Sequence, residues 1–182
     1  IYTGATPAGQ AHRTILAQIC ADQLGIDVEA VDVVLGDTGV MPRGAGTFAS
    51  RITVNAGSSV QIAAGQVREK ILALAAAKFG VAESDLELAD GLVRITGAQG
   101  DSISFAELAK MTSGMPGYVL PQGVVPDLEA SGYFTPAQAT YSNGSHVAVV
   151  EVDPETGMVT IDDYVVVHDC GNVINPKLVD GQ

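Results

Sequence analysis

The sequence predicts an α+β fold of mixed α/β lobes: a β-α-β unit with two helices, followed by an antiparallel β-hairpin. Three observations carry that prediction. Apolar residues recur at helical spacing over residues 11–24 and again over 53–79. Short β-rich runs, at Ile1–Thr3 and Val31–Leu35, flank the first of these helices. Near the C-terminus, His146–Asp153 and Met158–Val167 are rich in valine and are joined by Pro154-Glu-Thr-Gly157, a hairpin with a turn longer than two residues.

Taken in order, the first strand runs into a tight turn at Thr6-Pro7-Ala8-Gly9, and a helix begins near Gln10. Its predicted apolar face is Ala11, Ile15, Ile19, Cys20 and Leu24. Gly25 ends it at the left-handed capping position. Glycine at the mouth of a helix allows close approach to the backbone, and the first-turn N–H groups there lack intrahelical partners. Gln10 hangs at that mouth with an amide donor and a carbonyl acceptor. Ordinary loop chemistry is the competing reading of the same residues.

Residues 37–50 form a long loop of glycines and small side chains before the second helix. Loops of that length inside a domain are usually functional or disordered. Ser50 and Arg51 then bring a hydroxyl, backbone N–H groups and a guanidinium to a second helix mouth. The alternative is a solvated loop with Ser50 as an N-cap. The second helix, Thr53–Phe79, carries its apolar face at Val60, Ala63, Ala64, Val67, Ile71, Leu74 and Ala75. Gly57 and Gly65 inside it imply close packing against another element, and Arg68, Glu69, Lys70 and Lys78 fall on the solvated side. Gly80 ends the helix.

Residues 85–95 alternate around Asp90-Gly91, a hairpin signal, and Ser104 with Glu107 form a capping box for a short helix. Residues 111–126 are punctuated by glycine and proline and read as a surface excursion. The resulting division is a cofactor-loop lobe over 1–80, a satellite lobe and linker over 81–126, and a hairpin segment over 127–182 that returns to the first lobe.

Composition narrows the function. Nine basic against 21 acidic residues leave a net charge of −12, which argues against a nucleic-acid partner. No run approaches the length of a membrane span, and no signal-peptide pattern opens the chain. Two cysteines, Cys20 and Cys170, make no disulfide framework, and a reduced cytoplasmic setting is expected, with a periplasmic one left open. His146, His168, Asp169 and Cys170 lack metal-ligand spacing, so no protein-ligated metal is expected; Asp169 is expected to fix the turn that follows it. The start without Met and the end at Gly181-Gln182 suggest a piece of a longer polypeptide.

The motifs become specific in combination. Gly9-Gln10 with Thr14 and Gln18, Leu24-Gly25, Leu35-Gly-Asp-Thr38, Gly46-Thr-Phe-Ala-Ser-Arg51, Val150-Glu-Val-Asp-Pro-Glu-Thr-Gly157, Asp169-Cys-Gly171, Asn175-Pro176 and Gly181-Gln182 occur in that order. The chain thereby resembles, over essentially its whole length, the molybdopterin-binding large subunit of the xanthine dehydrogenase, aldehyde oxidase and aerobic carbon monoxide dehydrogenase family. The resemblance implies part of a molybdopterin-binding domain, with molybdenum held by a pterin in its cytosine dinucleotide form. It implies an oxidoreductase that hydroxylates an aldehyde, N-heterocycle or similar small molecule with oxygen from water, or oxidises carbon monoxide. Iron–sulfur clusters and FAD would lie on other domains or subunits, and the partners would be those and the rest of the large subunit.

By the same resemblance, Gln10 would sit beside the molybdenum, its amide donating to an oxo ligand of the metal. Ala8 and Gly9 would contact the cofactor through their backbone. Ala49, Ser50, Arg51 and Ile52 match the second cofactor loop, with Ala49 also near the substrate, and Gln182 matches a further cofactor-contacting glutamine. Family members usually read Gly-Gln-Gly at the first loop, where this chain has Ala11 in the third position. The family's catalytic glutamate lies downstream of the pair matching Gly181-Gln182, so no residue here is assigned that role, and the 182 residues alone are expected to be inactive. The rival expectation is a non-catalytic structural or assembly module that keeps the fold without the cofactor.

Overall fold

A computed structural model of the chain describes residues 1–98 and 100–181. It forms two compact units, one over Ile1–Thr135 and one from Pro136 onward.

The first unit is built on a β-α-β core. Strand β1 (Tyr2–Thr3) pairs in parallel with β2 (Val34–Leu35), Tyr2 opposite Val34. Helix α1 (His12–Leu24) makes the crossover. Both strands are two residues long, so the predicted strand Val31–Leu35 shrinks to its end; Val28–Ala30 coils into a 3-10 turn capped by Asp27, whose carboxylate accepts from the Glu29 N–H at 2.8 Å.

Helix α1 starts two residues later than expected. Ala11 is left-handed (φ 57°, ψ 37°) and serves as the N-cap, its carbonyl accepting from the Ile15 N–H at 3.2 Å. The buried arc also turns: His12, Leu16, Ala17, Cys20 and Ala21 face inward, while the predicted Ile15, Ile19 and Leu24 are half-buried and Ala11 lies outside the helix. Apolar residues occur nearly all around this helix, so periodicity alone does not choose the face; packing against β2 and the second helix does.

That second helix begins as a π-turn, Thr53–Gly57, and continues as α2 (Ser58–Phe79). Gly57 is buried there, and a Cβ on it would stand 3.0 Å from Ile19 Cδ1 of α1, so the expected close packing of the two helices centres on this residue. Leu16, Ala17, Cys20, Val33, Val60 and Ala64 form the core between α1, β2 and the first half of α2.

The far half of α2 belongs to a second core. Strands β3 (Leu86–Ala89) and β4 (Leu92–Ile95) make the expected hairpin, with Asp90 (φ 55°) and Gly91 (φ 70°) both left-handed at its turn. Strand β5 (Ser102–Ser104) adds antiparallel to β4 and leads into α3 (Phe105–Thr112) through the predicted Ser104–Glu107 capping box. Ile71, Leu74, Leu86, Val93, Ile103 and Leu108 close around one another.

Residues 111–126, expected as a surface excursion, contribute Leu120 and Val124 to that core, and Leu128 just beyond them joins it. Lys70, expected to be solvated, donates to the Asp127 carboxylate at 2.5 Å and to the Glu129 carbonyl, and Arg68 reaches the Gln23 carbonyl at 3.2 Å. Gly132 lies so close to the Ser59 carbonyl that no side chain fits between them.

The second unit is a long antiparallel ribbon, β6 (Asn143–Val152) with β7 (Val159–Asp169), bulged between Val149 and Val150, and a short helix α4 (Pro176–Gly181). Asp153 holds its turn, accepting from the Glu155 N–H at 2.8 Å and the Thr156 hydroxyl at 2.7 Å. Asp169 fixes the following turn as expected, accepting from the Gly171 N–H at 2.9 Å. No helix among the described residues is long and apolar enough to cross a membrane.

Candidate functional site

Because β1 and β2 are parallel, the loops that follow them leave from the same edge of the pair. The carboxyl edge of the strands is where ligands bind in open α/β sheets. The Gly36 N–H donates to the Thr3 carbonyl at 2.9 Å and extends the pairing to the start of the second loop.

From that edge the two predicted loops run side by side. Gly4 abuts the backbone of Arg43 and Gly44, and a Cβ on Gly44 would stand 2.6 Å from the Gly4 carbonyl oxygen. Further out, the Thr47 hydroxyl donates to the Thr6 carbonyl. Asp37 shapes the start of the second loop by accepting from the Gly39 N–H at 2.8 Å. The loops therefore meet backbone to backbone, which only glycine permits at this contact.

The backbone is strained at the same place. Among the described residues, four non-glycine residues have positive φ: Ala11, Ala49 and Ser50 in or beside these loops, and Asp90 in the hairpin turn. An alanine or serine held there costs about 1–2 kcal/mol, and such residues cluster at ligand sites. Ala49 (φ 55°) and Ser50 (φ 51°) are consecutive left-handed residues immediately before the second helix mouth.

The predicted side chains occupy the rims. Ala8, Gly9, Ala49 and Ser50 are exposed, and Gln10, Arg51 and Ile52 are half-buried. Gln10 folds back so that its Oε1 accepts from the Ala8 N–H at 2.7 Å. That contact assigns the amide, leaving Nε2 as the group that donates elsewhere. Arg51 lays its guanidinium over Phe48, Cζ 4.0 Å from the ring centroid, and its buried Nε has no partner. Ser50 does not cap the helix as the bland reading expected; Ile52 holds the cap position and makes no side-chain bond. The mouth of α1 is likewise uncapped by any side chain. Gln182 lies outside the described residues.

Sequence reasoning passed over His12. It is 5% exposed, it is the one buried polar residue among those described, and its Nδ1 has no partner. The available signal was a histidine in the first turn of a helix whose inward arc was assigned one residue too early.

Parallel strand ends, two glycine-bearing loops in backbone contact and left-handed non-glycine residues thus come together at one edge of β1 and β2. The chain belongs to the molybdopterin cofactor-binding domain family, whose model matches residues 1–182. It is 38% identical over 182 residues to the nicotine 6-hydroxylase large subunit of Paenarthrobacter nicotinovorans, covering 100% of this chain and 22% of that protein. It is 35% identical to the carbon monoxide dehydrogenase large chain of Hydrogenophaga pseudoflava, covering 98% of this chain and 22% of the relative. The crystal structure of quinoline 2-oxidoreductase from Pseudomonas putida 86 superposes with a TM-score of 0.86 at 36% identity, over 99% of this chain and 23% of that one. The chain thus spans about a fifth of the length of the relatives it matches.

The residues present fit such a cofactor. Arg51 Nε and His12 Nδ1 are buried nitrogens in need of partners, and an acidic protein can still hold an anion through neutral N–H groups.

Proposed function

We propose that this domain holds the molybdenum–pterin cofactor of a molybdenum hydroxylase large subunit, in its cytosine dinucleotide form. The single observation that carries the reading is the pair of strained loops, 4–11 and 36–52, packed backbone to backbone where Gly4 meets Arg43 and Gly44 at the carboxyl edge of β1 and β2. When bound, the cofactor supplies the two-electron redox chemistry by which a carbon centre gains oxygen from water or carbon monoxide is oxidised.

The chain's own part is binding and orientation. Ala8, Gly9, Ala49, Ser50 and Ile52 supply backbone N–H groups, Arg51 supplies its unpaired guanidinium nitrogen, and Gln10 donates from Nε2. The Ala8 N–H is already taken by Gln10 Oε1, so either that bond persists with the cofactor bound or Gln10 swings away to free it. Gln182 is assigned a further cofactor contact. No residue of this chain serves as the base; the proton-abstracting carboxylate is assigned outside residues 1–182. Electrons leave to iron–sulfur clusters and a flavin on partner subunits or domains, the substrate is a small molecule, and the location is cytoplasmic.

The test is a Gln10→Glu exchange in the native polypeptide. Glutamate keeps the oxygen that accepts from Ala8 but lacks the Nε2 donor. Turnover is expected to fall at least tenfold, the worth of one hydrogen bond to a charged group, with folding intact. Unchanged turnover sinks the assignment of Gln10, and a native polypeptide without molybdenum sinks the cofactor reading as a whole.

A further inference from the structure

We infer that His12 is a further anchor of the same ligand: its imidazole Nδ1 hydrogen-bonds a polar group of the anionic, phosphate-bearing pterin. The inference rests on the cradle reading above. It begins from an imbalance in the protein itself. His12 is 5% exposed and its Nδ1 reaches no donor or acceptor. Buried polar atoms are almost always paired, and an orphan left in the free protein marks a group awaiting a partner.

The helix face that carries His12 supplies no strong partner. The rest of the buried arc of α1 is Leu16, Ala17, Cys20 and Ala21, and the core it joins is completed by Val33, Val60 and Ala64. Apart from the Cys20 thiol, a weak hydrogen-bonding group, that arc offers nothing polar.

Position supplies the second argument. His12 is the first residue of a 13-residue helix whose N-cap, Ala11, contributes no side-chain bond. The first-turn N–H groups of the same helix therefore stand uncapped as well, and such N–H groups suit an anion. The left-handed Ala11 produces this placement. It breaks the helix at the loop, so that position 12 and not position 11 opens the buried arc. Two residues earlier, Gln10 is held by Ala8 in the loop itself. Gln10 and His12 thus lie on either side of one strained residue, Gln10 half-buried in the loop and His12 buried in the helix.

The test uses the native polypeptide, with His12→Leu and His12→Asn, and two readouts. The first is molybdenum and released pterin per polypeptide after dialysis. The second is thermal unfolding of pterin-free protein made in cells that do not synthesise the cofactor. His12→Leu is expected to retain about tenfold less molybdenum and pterin, the worth of one hydrogen bond. Its pterin-free form is expected to melt at or above the wild-type temperature, because the orphaned nitrogen is gone. His12→Asn, which keeps a donor and an acceptor, should retain an intermediate amount. Wild-type loading of His12→Leu overturns the proposal while leaving the cradle reading intact. A lower melting temperature of pterin-free His12→Leu also overturns it, since His12 would then be serving the fold through an internal partner such as a fixed water. An unloaded wild type removes the cradle reading and this inference with it.

Discussion

Replacing Gly44 with alanine tests whether loop-to-loop backbone contact builds the cradle. Gly44 is not among the glycines with positive φ, so alanine meets no conformational penalty there and the effect is steric. Its Cβ would stand 2.6 Å from the Gly4 carbonyl oxygen, where ordinary contact begins at 3.4 Å, so the loops must part by about 0.8 Å (3.4 − 2.6). The obstacle is backbone on both sides, with no flexible side chain to swing aside. Overpacking of this kind costs about 1–3 kcal/mol. For a chain of this size that lowers the melting temperature by about 2–12 °C. A cradle opened by the better part of an ångström also loses hydrogen-bond geometry on both loops, so cofactor content falls with stability. Gly65→Ala is the matched control: its Cβ would stand 4.0 Å from Gln23 Oε1, and alanine in the helix interior should add about 1 kcal/mol. Thermal unfolding and molybdenum content of the two variants are measured side by side in the native polypeptide. If Gly44→Ala melts with the wild type and stays fully loaded, the loops are not held by that contact and the reasoning fails.

Further predictions follow from single residues. Ala11→Gly removes about 1–2 kcal/mol of left-handed strain and returns about 0.4–1 kcal/mol through the freer unfolded chain, so denaturant midpoints should show a gain of up to about 1.6 kcal/mol; a clear loss would contradict the φ of 57°. Ser104→Ala should destabilise by about 1 kcal/mol through loss of the capping box on α3, read from the same midpoints. The Lys70 ammonium and the Glu129 N–H hold the Asp127 carboxyl below the ordinary aspartate range. Its contribution is therefore complete above the unfolded-state value of about 4 and lost as pH falls through the lower folded value, and Asp127→Asn should flatten the acid limb of the stability curve; identical acid limbs would count against the pair. Burial raises the Cys20 thiol, so alkylation near pH 8 should modify it only after unfolding, and its labelling in the folded protein would place α1 differently.

Most of the elements were legible because their signals are local. Asp90-Gly91 demands a two-residue hairpin turn whatever surrounds it, and Ser104 with Glu107 caps a helix within a single turn. Gly25 and Gly80 end their helices left-handed as expected, at φ 62° and 72°. Where several faces are equally apolar, local reasoning fails: α1 turns His12 inward instead of Ile15. Residues 111–126 were read as an excursion because glycine and proline describe their backbone and say nothing of what Leu120 and Val124 touch.

The same division holds at the candidate site. The ordered motifs, the glycines and the identities of Gln10 and of Ala49–Ile52 are written in the chain, because a loop that receives a ligand through its backbone must be built from residues that allow close approach. That β1 and β2 pair in parallel at Tyr2 and Val34, that Gly4 meets Gly44, and that Ala11, Ala49 and Ser50 are left-handed was decided by tertiary structure. So was the orphaned nitrogen of His12. Contacts between residues some 40 positions apart carry no local signal, and an unpaired atom is defined only once everything around it has been placed.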